Sequence, residues 1–314
     1  MLLLSTPCVL GVQMSFSLLM RRLSFLCALP FVASVFPGCV SAATFPSLGL
    51  AAGYGVFASD AFTLSGSSVV NGNVGVGQSY SFSSPAIING AVYLNSTAVG
   101  NSNVTPSYGI QTTTSSGVIA STLNAATQFG ALTATQTLTT LGNNAVLNGD
   151  GYINVVDVGS VNLTNSSLTL KGNANDYFVI NVTGNFSLSS SSMILSGVSA
   201  SHILFNVDGT MHIAGSGSGS NFYGTFLDAN NSITVGSGTL YGQLIGENIT
   251  DSSAFTLYDS TFGTPPSTPP PAPPAPPAPK PDPTSVPEPG TYISSFASLL
   301  AIGGLLRRRH KIRR

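Results

Sequence analysis

An all-β fold, a β-solenoid (β-helix) with one amphipathic helix packed alongside, is predicted by three features of this 314-residue sequence. Matching segments recur at fixed spacings, apolar residues alternate inside each segment, and charge is nearly absent between them. Only 7% of the chain is Asp, Glu, Lys or Arg, against roughly 25% in an ordinary soluble domain. Short units that cannot bury an apolar face alone can do so by stacking on one another. A charge repeated in register through such a stack would face its like about 4.8 Å away, so Ser, Thr and Asn take those places.

The chain opens with an address. Met20-Arg21-Arg22, the apolar run Leu23 to Phe36 and the small residues Val40-Ser41-Ala42-Ala43 have the three parts of a secretory signal peptide over residues 1–43, with cleavage at Ala42 or Ala43 and a start at Met14 or Met20. Cys8, Cys27 and Cys39 all precede that cut. The mature chain then has no thiol, which removes disulfides, a Cys-ligated zinc and Cys nucleophiles together.

The body spans 44–264 and carries one base, Lys171, against nine acids. Such a surface cannot neutralise a run of phosphates, which excludes nucleic acid as a partner. Val69-Val70-Asn71-Gly72-Asn73-Val74 is matched 18 residues later by Ile87-Ile88-Asn89-Gly90-Ala91-Val92. Gly117 to Leu138 then breaks the pattern: Ile119, Leu123, Ala126, Phe129 and Leu132 predict an amphipathic helix whose apolar stripe lies along the stack. Beyond it, Phe178-Val179-Ile180-Asn181-Val182 is matched by Ile203-Leu204-Phe205-Asn206-Val207, and Tyr223-Gly224-Thr225-Phe226-Leu227 by Tyr241-Gly242-Gln243-Leu244-Ile245. Stacking would set Asn181 above Asn206 in an amide ladder, with Gly184 and Gly209 at a tight corner. A β-sandwich, which also uses many short strands, is the alternative architecture.

Residues 265–285 form a Pro-rich linker, part of a 25-residue tract to Pro289 with 14 prolines, and favour extended polyproline II. The last segment, 286–314, combines Val286-Pro287-Glu288-Pro289, an apolar run from Gly290 to Leu306 and the basic stop Arg307-Arg308-Arg309. The run is just long enough for a C-terminal transmembrane helix, and the basic cluster resists translocation. This tail resembles the PEP-CTERM sorting signal of Gram-negative bacteria. The resemblance implies an exosortase-type processing enzyme as partner, acting near Pro287, Glu288 and Pro289, after an intermediate held at the inner membrane.

The body is also similar to the choice-of-anchor A domain, through Val-Asn-Gly-Asn-Val-Gly-Val at 70–76, the helix, Asn173 to Val182 and Val207-Asp208-Gly209-Thr210. More distantly it resembles the ice-binding solenoid fold. The first resemblance implies an exported surface or matrix protein without catalytic residues.

Reactive chemistry is sparse. His202 and His212 are the only histidines of the body, His212 on an outer face, and Gly215-Ser216-Gly217-Ser218-Gly219 reads as a flexible corner, not a nucleophile elbow. Asp150 with Asp157, or Asp208 with Asp228, could serve a glycosidase, but no spacing requires them to converge. Asp176 and Asp208, near Asn-rich corners, make calcium the one conceivable cofactor. Thr-x-Thr rows occur at Thr112 to Thr114 and from Thr133 to Thr139, in or beside the predicted helix and outside the repeat units. The main expectation is therefore a non-enzymatic protein of the cell envelope or extracellular matrix, acting in adhesion or in biofilm and exopolysaccharide structure. Ice binding is the alternative and a polysaccharide-cleaving enzyme the second alternative.

Overall fold

The computed structural model describes residues 45–251 and 253–265. In chain order its strands are β1 (Val56–Leu64), β2 (Val69–Asn71), β3 (Val74–Val76), β4 (Ser79–Phe82), β5 (Ile87–Ile88), β6 (Val92–Asn95), β7 (Val99–Ser102) and β8 (Ile110–Thr113). The helix α1 (Ser116–Gly130) follows. Then come β9 (Gln136–Leu141), β10 (Val146–Asn148), β11 (Ile153–Thr164), β12 (Ser167–Lys171), β13 (Tyr177–Val182), β14 (Phe186–Ser189), β15 (Ser192–Ser196), β16 (Ile203–Val207), β17 (Met211–Ile213), β18 (Asn221–Val235), β19 (Gly238–Asp251) and β20 (Phe255–Asp259).

The described fold is all-β apart from α1 and short 3-10 turns, and the strands pair in parallel. Each repeat read from the sequence is a hydrogen-bonded pair of rungs: Val69 lies beside Ile87, Val74 beside Val92, Phe178 beside Ile203 and Tyr223 beside Tyr241. One inward column, Val156–Ile180–Phe205–Phe226–Leu244–Val56–Val74–Val92, crosses eight rungs in register and is at most 2% exposed at any of them. Within it Phe205 and Phe226 stack at 4.9 Å. Burying each such side chain contributes about 1.5–3 kcal/mol, which is why the alternation sets the register so firmly.

The order of rungs does not follow the order of the chain. β1 pairs with β3 and β4 on one edge and with β19 on the other, so the N-terminal strand is sandwiched mid-stack. From there the chain climbs to β8 at one end, returns along the outside as α1 and restarts with β9 at the other end. It then winds back until β19 meets β1.

The helix ends earlier than the periodicity predicts. Residues 133–141 place Thr at 133, 135, 137, 139 and 140, a β-branched pattern whose Gln136–Leu141 part pairs as β9 with β11, and Ala131 closes α1. The buried stripe is Val118, Thr122, Ala125 and Phe129, which keeps the predicted Phe129 but takes the residue before each of Ile119, Leu123 and Ala126; Leu123 is 42% exposed. Phe129, fully buried, anchors the helix over Val179, Leu204, Leu227 and Ile245. That cover explains why β13 is buried at every position: its inner residues face the core and its outer ones the helix.

At the corner near Gly184 the close approach of successive rungs excludes a side chain. A Cβ on Gly184 would stand 2.6 Å from the Gly159 carbonyl oxygen, and one on Gly209 would stand 2.6 Å from Gly184.

Candidate functional site

The stack has three sides. α1 covers the first, formed by β13, β16 and their neighbours, and here the predicted amide ladder exists. Asn206 Nδ2 donates to Asn181 Oδ1 at 3.0 Å, and Asn181 Nδ2 donates to Asp157 Oδ1 at 3.2 Å. The same nitrogens donate to the carbonyl oxygens of Ala126 and Phe129, so the ladder also satisfies the last turn of α1.

The second side carries no covering element. Its inward columns are apolar, and its central outward column reads Asn162, Ser187, His212, Thr234, Thr250, Thr63, Ser81 and Asn101 over eight successive rungs. Beside it run Ser160, Asn185, Thr210, Ser232, Asn248, Ala61, Ser79 and Val99. Neither column holds Asp, Glu, Lys or Arg. At about 4.8 Å per rung the array is about 34 Å long. Hydroxyls and amides bond across rungs, as from Thr210 Oγ1 to Asn185 Oδ1 at 3.2 Å and between Thr140 and Ser160 at 3.3 Å, which fixes their rotamers. Such a surface offers regularly spaced, pre-ordered hydrogen-bonding groups, and it lacks the tightly held hydration shells of charged side chains.

The Thr rows do not lie in a helix. Thr112 and Thr113 are on β8 and Thr137, Thr139 and Thr140 on β9, while the outward polar column runs across rungs and not along a strand. Thr234, Thr250 and Thr63 are adjacent in space, yet Thr63 and Thr250 are separated by most of the body. Reading along each segment therefore missed them.

The other singled-out residues have structural roles. Asp176 is fully buried and its carboxylate accepts N–H groups, from Gly151 at 2.6 Å and Asn154 Nδ2 at 3.3 Å on Oδ1, and from Asn173 at 2.7 Å on Oδ2. Its oxygens thus pin a corner. Asp176→Ala leaves several donors unpaired and is expected to cost about 3 kcal/mol or more in a denaturant melt. Asp208 is exposed at a corner, whereas Asp228 is fully buried and bonded by Asn231. Burial pushes Asp228 up to about 6. His202 stacks on Tyr177 at 3.9 Å, and burial lowers its pKa. The Gly/Ser corner at 215–219 connects β17 to β18. Among the described residues no three His, Cys, Asp or Glu side chains gather as a metal-binding group, and no helix is long and apolar enough to cross a membrane. Ala42, Ala43, Pro287, Glu288, Pro289, Arg307, Arg308 and Arg309 lie outside the described residues.

Known proteins place these features. The profile of the ice-binding-like family matches residues 56–261, from the first residue of β1 to just past β20. An ice-binding protein from an Antarctic bacterium of the Flavobacteriaceae shares the fold, with 20% identity and a TM-score of 0.51 over 70% of this chain and 48% of that one. The ice-binding protein of the Antarctic ascomycete Antarctomyces psychrotrophicus is 26% identical, with a TM-score of 0.49, over 69% of this chain and 100% of that one. A glycosylated ice-binding protein from an Arctic yeast is 18% identical, with a TM-score of 0.48, over 71% and 97%. No curated protein matches the sequence. The family match overturns the expectation of a role in adhesion or biofilm structure, which rested on the addresses at the two ends while the body itself carried the decisive signal. Through that body, the chain belongs to the ice-binding-like family.

Proposed function

We propose that this protein binds ice through its second side, without catalysis. The observation that carries the reading is the eight-rung column from Asn162 to Asn101, free of Asp, Glu, Lys and Arg, on a side that no helix covers. Its groups are fixed by the sheet behind them, so ordering water on them costs little further entropy. The parallel, in-register rungs favour reading the whole body, 44–264, as a β-solenoid. The test is thermal hysteresis and ice-crystal shaping by the purified protein; a freezing point equal to the melting point, with unshaped crystals, overturns the proposal.

We further infer the arrangement of the ends: residues 1–43 direct export, 265–285 act as a spacer, and 286–314 act as a PEP-CTERM tail, the anchor of a choice-of-anchor A type body. The tripartite order of Pro287-Glu288-Pro289, an apolar run and Arg307-Arg308-Arg309 supports this. In that scheme an exosortase-type enzyme acts on a membrane-held intermediate. Changing Pro287, Glu288 and Pro289 to Ala is expected to leave most of the protein in the inner-membrane fraction; unchanged release on cell fractionation overturns the assignment.

A further inference from the structure

Beneath the last turn of α1, where the first side bends into the second, lies a cavity of about 340 Å³. Asp157 and Asp208 line it, and no Lys, Arg or His does. The amide ladder gives the site one polarity. Both ladder nitrogens are spent, Asn206 Nδ2 on Asn181 Oδ1 and the Ala126 carbonyl, Asn181 Nδ2 on Asp157 Oδ1 and the Phe129 carbonyl, so acceptor oxygens are what the ladder leaves for a ligand. The C-terminal end of a helix adds partial negative charge at the same place. With a single Lys against nine acids in the body, the protein supplies no cation of its own there.

The cavity is larger than a bare metal ion needs, and its two carboxylates are set apart. Asp208 stands two rungs from Asp157 and two residues further along the strand, on the order of 10–12 Å between Cα atoms at ordinary sheet spacings. On the helix side the wall between them is apolar, formed by Leu123 and Ala126, and the Asn181–Asn206 ladder makes the floor. We propose that this cavity binds an α,ω-diamine or linear polyamine, with one ammonium at Asp157, the other at Asp208, and the methylenes against the apolar wall. Long aliphatic ammonium groups bury their stems in this way while keeping the charged heads paired. The site is distinct from the uncharged second side and does not depend on ice binding.

Calorimetric titration of the full chain, in detergent and at low salt, with 1,4-diaminobutane and 1,5-diaminopentane tests this. Saturable one-to-one binding with Kd below about 1 mM is expected, with no heat from 1,4-butanediol. Asp208→Asn, at an exposed position, is expected to weaken binding roughly tenfold and leave the melting curve unchanged, while Asp150→Asn, outside the cavity, leaves binding as it was. Equal weakening by the two variants would mean diffuse attraction to an acidic body and would overturn the proposal. Equal binding of the diol, or displacement of the diamine by an equimolar amount of calcium chloride, would overturn it as well.

Discussion

Thr250→Arg is expected to remove most of the thermal hysteresis of this protein, about an order of magnitude at fixed concentration, while shifting stability by no more than about 0.5 kcal/mol. Thr250 is exposed at the centre of the outward column, with Thr234 on one neighbouring rung and Thr63 on the other. An Arg there breaks the row in two ways. Its length lifts any ordered surface off the neighbouring hydroxyls, and its charge brings hydration incompatible with the spacing of the row. The inward neighbours Ile249 and Asp251 are untouched, so the fold survives. Thr256→Arg serves as control: Thr256 is half-buried on the third side, beside Tyr241 and Tyr258, and its replacement should leave hysteresis intact. Equal losses in the two variants, or none in the first, would refute assignment of the ice-binding surface to the second side.

The second large effect is on stability against pH. Asp251 occupies an inward column between Val235 and Leu64, at the seam where β19 meets β1, and is 2% exposed. Burial pushes its carboxyl up to about 7, partly offset by bonds from Ser68 and from the Ser253 N–H. Asp228, raised by burial to about 6, behaves likewise. Both groups stay protonated in the folded chain at pH values where the unfolded chain has released its protons. The unfolded state then binds fewer protons, so stability is greatest near pH 4 and falls as pH rises towards 6 for Asp228 and 7 for Asp251. Across its window Asp228 accounts for about 3 kcal/mol and Asp251 for about 4 kcal/mol, both order-of-magnitude figures. Chemical denaturation between pH 4 and pH 8 should show the decline. Asp251→Asn keeps an acceptor for the Ser253 N–H and cannot ionise, so it should flatten the curve and be the more stable protein at pH 8. A wild-type curve that rises over this range would contradict the assignment.

Much of this molecule is legible along the chain because its pairings are local in sequence. Ile180 and Phe205, or Val74 and Val92, are neighbours in the stack for the same reason that they are neighbours in the repeat, so the inner columns and the Asn181–Asn206 ladder follow from the spacing. The helix is legible in kind but not in extent. Its end depends on whether Thr137 to Thr140 gains more from pairing with β11 than from another helical turn, which local pattern does not decide. The candidate ice-binding column is visible only in part, since each rung contributes one small polar residue that looks like any other surface Ser, Thr or Asn.

Local periodicity by itself determined that successive units stack on one another and which strand residues point inward, since each follows from burying a two-residue alternation against its own repeat. Only the tertiary structure decided the order of the rungs, the pairing of β1 with β19 and which side α1 covers. Val56 meets Leu244 because each completes the other's buried column, an energy that exists only once both halves have formed. The second side is free of α1 because Phe129 commits the helix to the first.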